Sequence, residues 1–158
     1  MGQLAETLPP RALPELRFLS AQGVETQITA FRGQGLLVNL WATWCGPCVA
    51  EMPALNRAQA ALTAEGVKVL ALSSDRGGRD VVERFYGERG VTHLGVWLDP
   101  RGAASRALGV RGLPTTVVVD RNGLEVARLE GAAEWDMPEM LARVRRLVGP
   151  PVAGTQAT

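Results

Sequence analysis

A chain of 158 residues suits one domain of ordinary size, long enough to bury a core of its own. Its apolar share of 46% and charged share of 21% read as globular, and a net charge of +1 aims no strong field at nucleic acid or an anionic membrane. No apolar run reaches the roughly 18 residues of a membrane-spanning helix.

Residues 1–14 carry Pro9, Pro10 and Pro14 with little periodicity and are expected to form a flexible leader. They show no basic head followed by an apolar stretch, so no signal peptide is legible. Two readings follow: a cytoplasmic protein, or one whose signal or anchor has been removed. Residues 16–19 and 26–29 flank Gln22-Gly23, which predicts a β-hairpin. Residues 36–41 (LLVNLW) are apolar except for Asn39, the pattern of a central strand covered on both faces.

From Cys48 to about Glu65, the residues Met52, Leu55, Gln59 and Leu62 recur at threes and fours, predicting a helix that stops at Gly66. Pro53 inside it predicts a kink set by packing. A second buried strand follows at 67–73. Next comes a helix at 80–89 with Val81, Val82, Phe85 and Tyr86 on its apolar side, then a short strand at 96–99 and a short helix at 103–108. Residues 115–120 (TTVVVD) are a clear strand, Arg121-Asn122-Gly123 supplies a turn, and 124–129 is the returning strand. A helix at 136–148, with Met140, Leu141, Val144 and Val148 on one face, closes the domain at Gly149. Residues 150–158 are expected as a flexible tail. Strands alternating with helices predict an α/β domain over 15–149, its mixed central sheet flanked by helices.

The two cysteines lie in Trp44-Cys45-Gly46-Pro47-Cys48, between the central strand and the long helix. A structural disulfide framework needs wider spacing, and a zinc site needs two further ligands where His93 is the only histidine. At a helix N-terminus, unpaired N–H groups and the helix dipole favour a thiolate, which makes Cys45 the expected nucleophile. Cys48, one turn further in on the same face, is the expected resolving thiol. Pro47 sits where a missing N–H costs nothing, Gly46 lets a partner chain come close, and Trp44 offers an aromatic rim. His93 is expected to be a surface or loop residue.

Residues 38–53 (VNLWATWCGPCVAEMP) resemble the thioredoxin superfamily, and in detail the TlpA/ResA-like branch of exported bacterial thiol–disulfide oxidoreductases. The likeness covers about residues 15–149, including an αβ unit near 79–99 and Gly112-Leu113-Pro114-Thr115 ahead of a strand. It implies a thioredoxin-like fold with an N-terminal β-hairpin and a central αβ insertion. It also implies that Pro114 is a cis-proline facing the active-site disulfide, with the Leu113 backbone free to pair with a client segment. Asn39 stands where cytosolic thioredoxins carry a buried Asp. The branch carries a glutamate at the position of Glu51, three residues after Cys48, which makes Glu51 a candidate acceptor for the Cys48 proton. The alternative is a solvated glutamate that complements the helix N-terminus.

The resemblance further implies a monomeric protein-disulfide reductase without a prosthetic group or metal. Its partners would be a disulfide-containing client and a membrane thiol transporter that supplies electrons; its place would be the periplasm and its role cytochrome c or cytochrome oxidase biogenesis. The Gly-Pro pair between the cysteines matches thioredoxin and points to reduction rather than oxidation. Three other readings compete: a copper-binding assembly chaperone using the two thiolates, a peroxiredoxin-like peroxidase, and a redox-inert interaction domain.

Overall fold

A computed structural model describes residues 2–151. Seven consecutive residues without exposure, Gly35–Trp41, mark the middle of its sheet. In chain order the strands are β1 (Ala5–Ala12), β2 (Arg17–Ser20), β3 (Glu25–Gln27), β4 (Gly35–Trp41), β5 (Val67–Ser73), β6 (Trp97–Leu98), β7 (Thr115–Val119) and β8 (Leu124–Glu130). The helices are α1 (Gly46–Leu62) between β4 and β5, α2 (Arg79–Arg89) before β6, α3 (Ala103–Ala107) before β7, and α4 (Pro138–Val148) after β8.

These strands form one eight-stranded sheet in the order β1-β8-β7-β4-β5-β6-β2-β3. β4 runs parallel to β5 and antiparallel to β7, with Leu37 opposite Val69 and Val118. Side chains alternate between the two faces, so Leu37 and Trp41 join the core beneath α1, α2 and α4, while Leu36, Val38 and Leu40 join a second core with Leu16, Phe18 and Leu108. Both faces are therefore covered, and no polar residue is accommodated on β4 except Asn39. The mixed, helix-flanked sheet and its αβ insertion (α2 and β6) agree with the expected thioredoxin-like fold. Among the described residues no helix is long and apolar enough to cross a membrane.

Two expectations need correction. Residues 5–12, expected as loose leader, form the edge strand β1, antiparallel to β8 with Ala5 opposite Arg128 and Ala12 opposite Leu124. Their side chains are mostly exposed, which is why no apolar pattern betrayed them; backbone pairing holds the strand, with a bulge between Glu6 and Arg11 that accommodates the two prolines. Pro53 does lie inside α1, but its ring is exposed, so packing of the ring does not explain its place. The predicted hairpin is β2–β3, and a 3-10 turn over Ile28–Phe31 takes up the end of its second predicted strand. Of the expected tail, residues 152–158 lie outside the described part of the chain.

Candidate active site

β4 ends at Trp41, and a turn closed by the Cys45 N–H donating to Ala42 O (3.2 Å) delivers Cys45 to the start of α1. Cys45 is the N-cap residue: its backbone is extended, and its sulfur accepts the Cys48 N–H at 3.3 Å. A helix N-terminus leaves such N–H groups without partners, so a sulfur held there as an anion is stabilised by the donor and the dipole together. Cys45 and Cys48 are joined as a disulfide with Cα atoms 5.2 Å apart. The residue order matters for the chemistry. Cys45 is 8% exposed and Cys48 is fully buried, beside a Trp44 that is 70% exposed.

Beneath the pair lies an arrangement that sequence spacing only partly foretold. Glu51, one turn after Cys48, is 2% exposed, which rules out the solvated glutamate considered above. Its carboxylate takes three hydrogen bonds: Asn39 Nδ2 donates to Oε1 (3.1 Å), and the Ala133 N–H (2.9 Å) and Trp135 Nε1 (2.8 Å) donate to Oε2. Burial pushes this carboxyl above the usual carboxylate range despite the three donors, since no charged side chain contributes to hold its ionised form. Asn39 also donates to Thr116 Oγ1 on β7 (3.0 Å), and its own Oδ1 has no partner among the described residues.

The loop before β7 reaches the same end of the sheet, because β7 is antiparallel to β4 and Thr115 pairs with Leu40. The Leu113–Pro114 bond is cis. Pro114 is buried and its carbonyl accepts the Gly131 N–H at 2.8 Å; Leu113 is half-buried and packs against both cores. Gly46 and Pro47 are exposed, and a Cβ added at Gly46 would meet nothing within 4 Å. The fold itself does not require glycine there. His93 is exposed and remote in role, its backbone N–H donating to Asn56 Oδ1 (2.7 Å).

A profile of the Redoxin family matches residues 10–142. The chain belongs to the Redoxin family. It is 34% identical over 110 residues to the thiol-disulfide oxidoreductase ResA of Geobacillus thermodenitrificans, covering 70% of this chain and 62% of that one. It is 34% identical over 124 residues to the thiol:disulfide interchange protein DsbE of Vibrio cholerae, covering 77% and 65%. The chain thus spans somewhat less than two thirds of the length of these two relatives. A crystal structure from Chlorobium tepidum, designated a thiol:disulfide interchange protein DsbE, matches with a TM-score of 0.76 at 27% identity over 89% of this chain and 97% of that one.

Within this Redoxin domain, one contributor to the site carried no motif. Asp75, just past β5, is buried and accepts from the Thr43 N–H (2.9 Å), Thr43 Oγ1 (2.6 Å) and Ser73 Oγ (2.6 Å). Thr43 is two residues before Cys45, so Asp75 clamps the turn that presents Cys45. Only its alternation with Ser73 beyond an apolar strand hints at it in sequence. Asp75→Ala strands these donors and is expected to cost about 2–3 kcal/mol in a urea titration, with the Cys45 alkylation rate altered as the turn loosens. Unchanged stability and alkylation would show that the clamp has no such role.

Proposed function

We propose that this Redoxin domain is a thiol–disulfide oxidoreductase that reduces disulfides in exported client proteins. The observation that carries the reading is Cys45 at the N-cap of α1, its sulfur bonded to the Cys48 N–H and to the buried Cys48 sulfur. In the reduced protein the Cys45 thiolate attacks one sulfur of a client disulfide; that S–S bond breaks, the client's other sulfur leaves as a thiolate, and a mixed disulfide forms. Glu51 takes the proton of Cys48, whose thiolate then attacks the Cys45 sulfur. The client's second thiolate leaves, the Cys45–Cys48 bond forms, and two electrons have passed to the client.

Client docking is assigned to Trp44, Gly46 and Pro47 around the sulfur, and to Leu113 and Pro114, where an extended client segment pairs as a short added strand. Neither the N–H nor the C=O of Leu113 has a hydrogen-bond partner among the described residues, which supports that docking mode. The membrane thiol transporter, the extracytoplasmic location and the role in cytochrome c or cytochrome oxidase biogenesis extend the same reading.

Cys48→Ser stalls the reaction after the first step, because the serine hydroxyl does not resolve the mixed disulfide. The variant is expected to accumulate client adducts on Cys45 that run as reductant-sensitive bands, against a parent that shows almost none. A variant that captures nothing from an oxidised extracytoplasmic extract, together with a parent inert toward insulin, overturns the reading. Direction is tested by equilibration with glutathione: a value near the thioredoxin potential of about −270 mV supports reduction, and one above about −150 mV overturns it.

A further inference from the structure

Three backbone contacts in the turn Gly131-Ala132-Ala133 join parts of the molecule that lie far apart in sequence. The Gly131 N–H donates to Pro114 O (2.8 Å), Ala132 O accepts the Gly2 N–H (3.1 Å), and the Ala133 N–H donates to Glu51 Oε2 (2.9 Å). Ala132 O and the Ala133 N–H belong to one peptide group. A donor on its oxygen polarises that group and strengthens the bond its N–H makes, so Gly2 and Glu51 sit at the two ends of one short hydrogen-bond chain.

The segment that carries Gly2 is built into the domain rather than laid over it. Leu4 is buried in the same core as Cys48, Met52, Ala133 and Trp135, and Leu4 O accepts from Arg143 Nη2 on α4 (3.3 Å). Gly2 is packed so closely that an added Cβ would collide with Glu130 O and Leu129 Cδ2. Outside this seal a cavity of about 320 Å³ opens between Gly2, Ala133 and the start of α4, large enough for several waters. Ala133 lines that cavity and its N–H donates to the buried carboxylate, which places its backbone between the two.

We propose that residues 2–4 are a latch that positions the 131–133 turn and keeps water away from Glu51. The proposal rests on the reading of Glu51 as proton acceptor only for its catalytic consequence, not for the latch itself. The groups bonded to Glu51 are Asn39 on β4, with Thr116 behind it on β7, and Ala133 and Trp135 from the loop; Cys48 lies one turn earlier on its own helix. The charged groups lining the cavity are Glu134, Glu139 and Arg143. Releasing the latch has two opposed effects on the carboxyl. Water entry favours its ionised form, and a weakened Ala133 bond disfavours it. Burial is the largest influence on this carboxyl in the parent, ahead of each of its three donors, so water entry sets the expected direction.

Gly2→Val forces the segment out of its seat, and Arg143→Met removes the bond on Leu4 O from a half-buried side chain of α4 that is not itself part of the core. The oxidised protein, labelled with carbon-13 at glutamate carboxyls, is titrated by NMR, with the Glu51 signal assigned by its loss in Glu51→Gln. Gly2→Val is expected to lower the Glu51 midpoint by about half a pH unit or more, with Arg143→Met lowering it less. Leu8→Ser, on the exposed middle of β1, leaves it unmoved. Midpoints that superimpose on the parent, or that rise, overturn the latch; if Gly2→Val does not fold, Arg143→Met decides. The pH profile of client reduction is then measured on the same variants. A Glu51 midpoint that moves while the rate profile stays fixed upholds the latch and overturns Glu51 as proton acceptor.

Discussion

Glu51→Gln is expected to slow reduction of a client disulfide by about a hundredfold, while leaving the oxidised protein as stable as its parent at neutral pH or more so. The rate loss follows because an amide does not accept the Cys48 proton, and none of the polar side chains gathered there, Trp135, Asn39 and Thr116, replaces it. The stability follows from the hydrogen bonds. A glutamine oxygen accepts from the Ala133 N–H and Trp135 Nε1 as Oε2 now does. Its Nε2 then faces Asn39, whose amide turns over so that its unpartnered Oδ1 accepts instead; one amide atom of Asn39 is left without a partner either way. The sign of the pH effect is fixed by burial, which raises the folded carboxyl above its unfolded value of about 4.3. Glu51 thus contributes stability that is fully present below that unfolded value and is lost as pH rises through the folded pKa. Urea midpoints measured across that window should move in favour of Glu51→Gln as pH rises. A parent that gains on the variant with rising pH, or a variant whose rate profile matches the parent, contradicts the assignment.

Local chemistry made the cysteine pair at the helix start and the fold class legible in the residues. Cys45 and Cys48 occupy a spacing that only a helix start turns into a redox pair, and an apolar run on either side of Asn39 says central strand. What the sequence concealed depends on long-range closure. Trp135 and Ala133 sit in a loop with no periodicity, 82 and more residues from the carboxyl they bind, and nothing in their neighbourhood marks them as partners of Glu51. Burial of Glu51 was equally invisible, since a glutamate at that helical position reads as surface until the 131–133 turn covers it. β1 was missed for the opposite reason. Its exposed residues and two prolines look like a leader, and the strand exists because β8 offers it an unpaired edge.

Arg121 shows how completely a turn residue can hide a structural role, and Arg121→Met is expected to destabilise the protein by about 3 kcal/mol. In sequence it belongs to a turn motif, Arg121-Asn122-Gly123, and nothing distinguishes it from a solvated arginine. In the fold it is 6% exposed and its guanidinium donates to four carbonyls: Gly149 O (2.9 Å), Glu65 O (2.8 Å), Gly66 O (3.1 Å) and Gly33 O (3.4 Å). These belong to the end of α4, the entry to β5 and the entry to β4. One side chain therefore ties three chain segments together at the pole opposite the disulfide. Among the described residues no carboxylate pairs with it; Glu65, whose backbone it binds, gives its side chain to Arg145 instead. A planar fork with five donors spans those directions, whereas an ammonium group satisfies fewer of them from one point. Arg121→Lys should accordingly keep the charge and still lose much of the stability. Because β7 separates Arg121 from Pro114 by its full length, both variants should retain parental rates of disulfide reduction at temperatures where they remain folded. Urea midpoints that match the parent would show the four carbonyls to be satisfied without the guanidinium, and a rate loss in folded protein would show that the two poles are not independent.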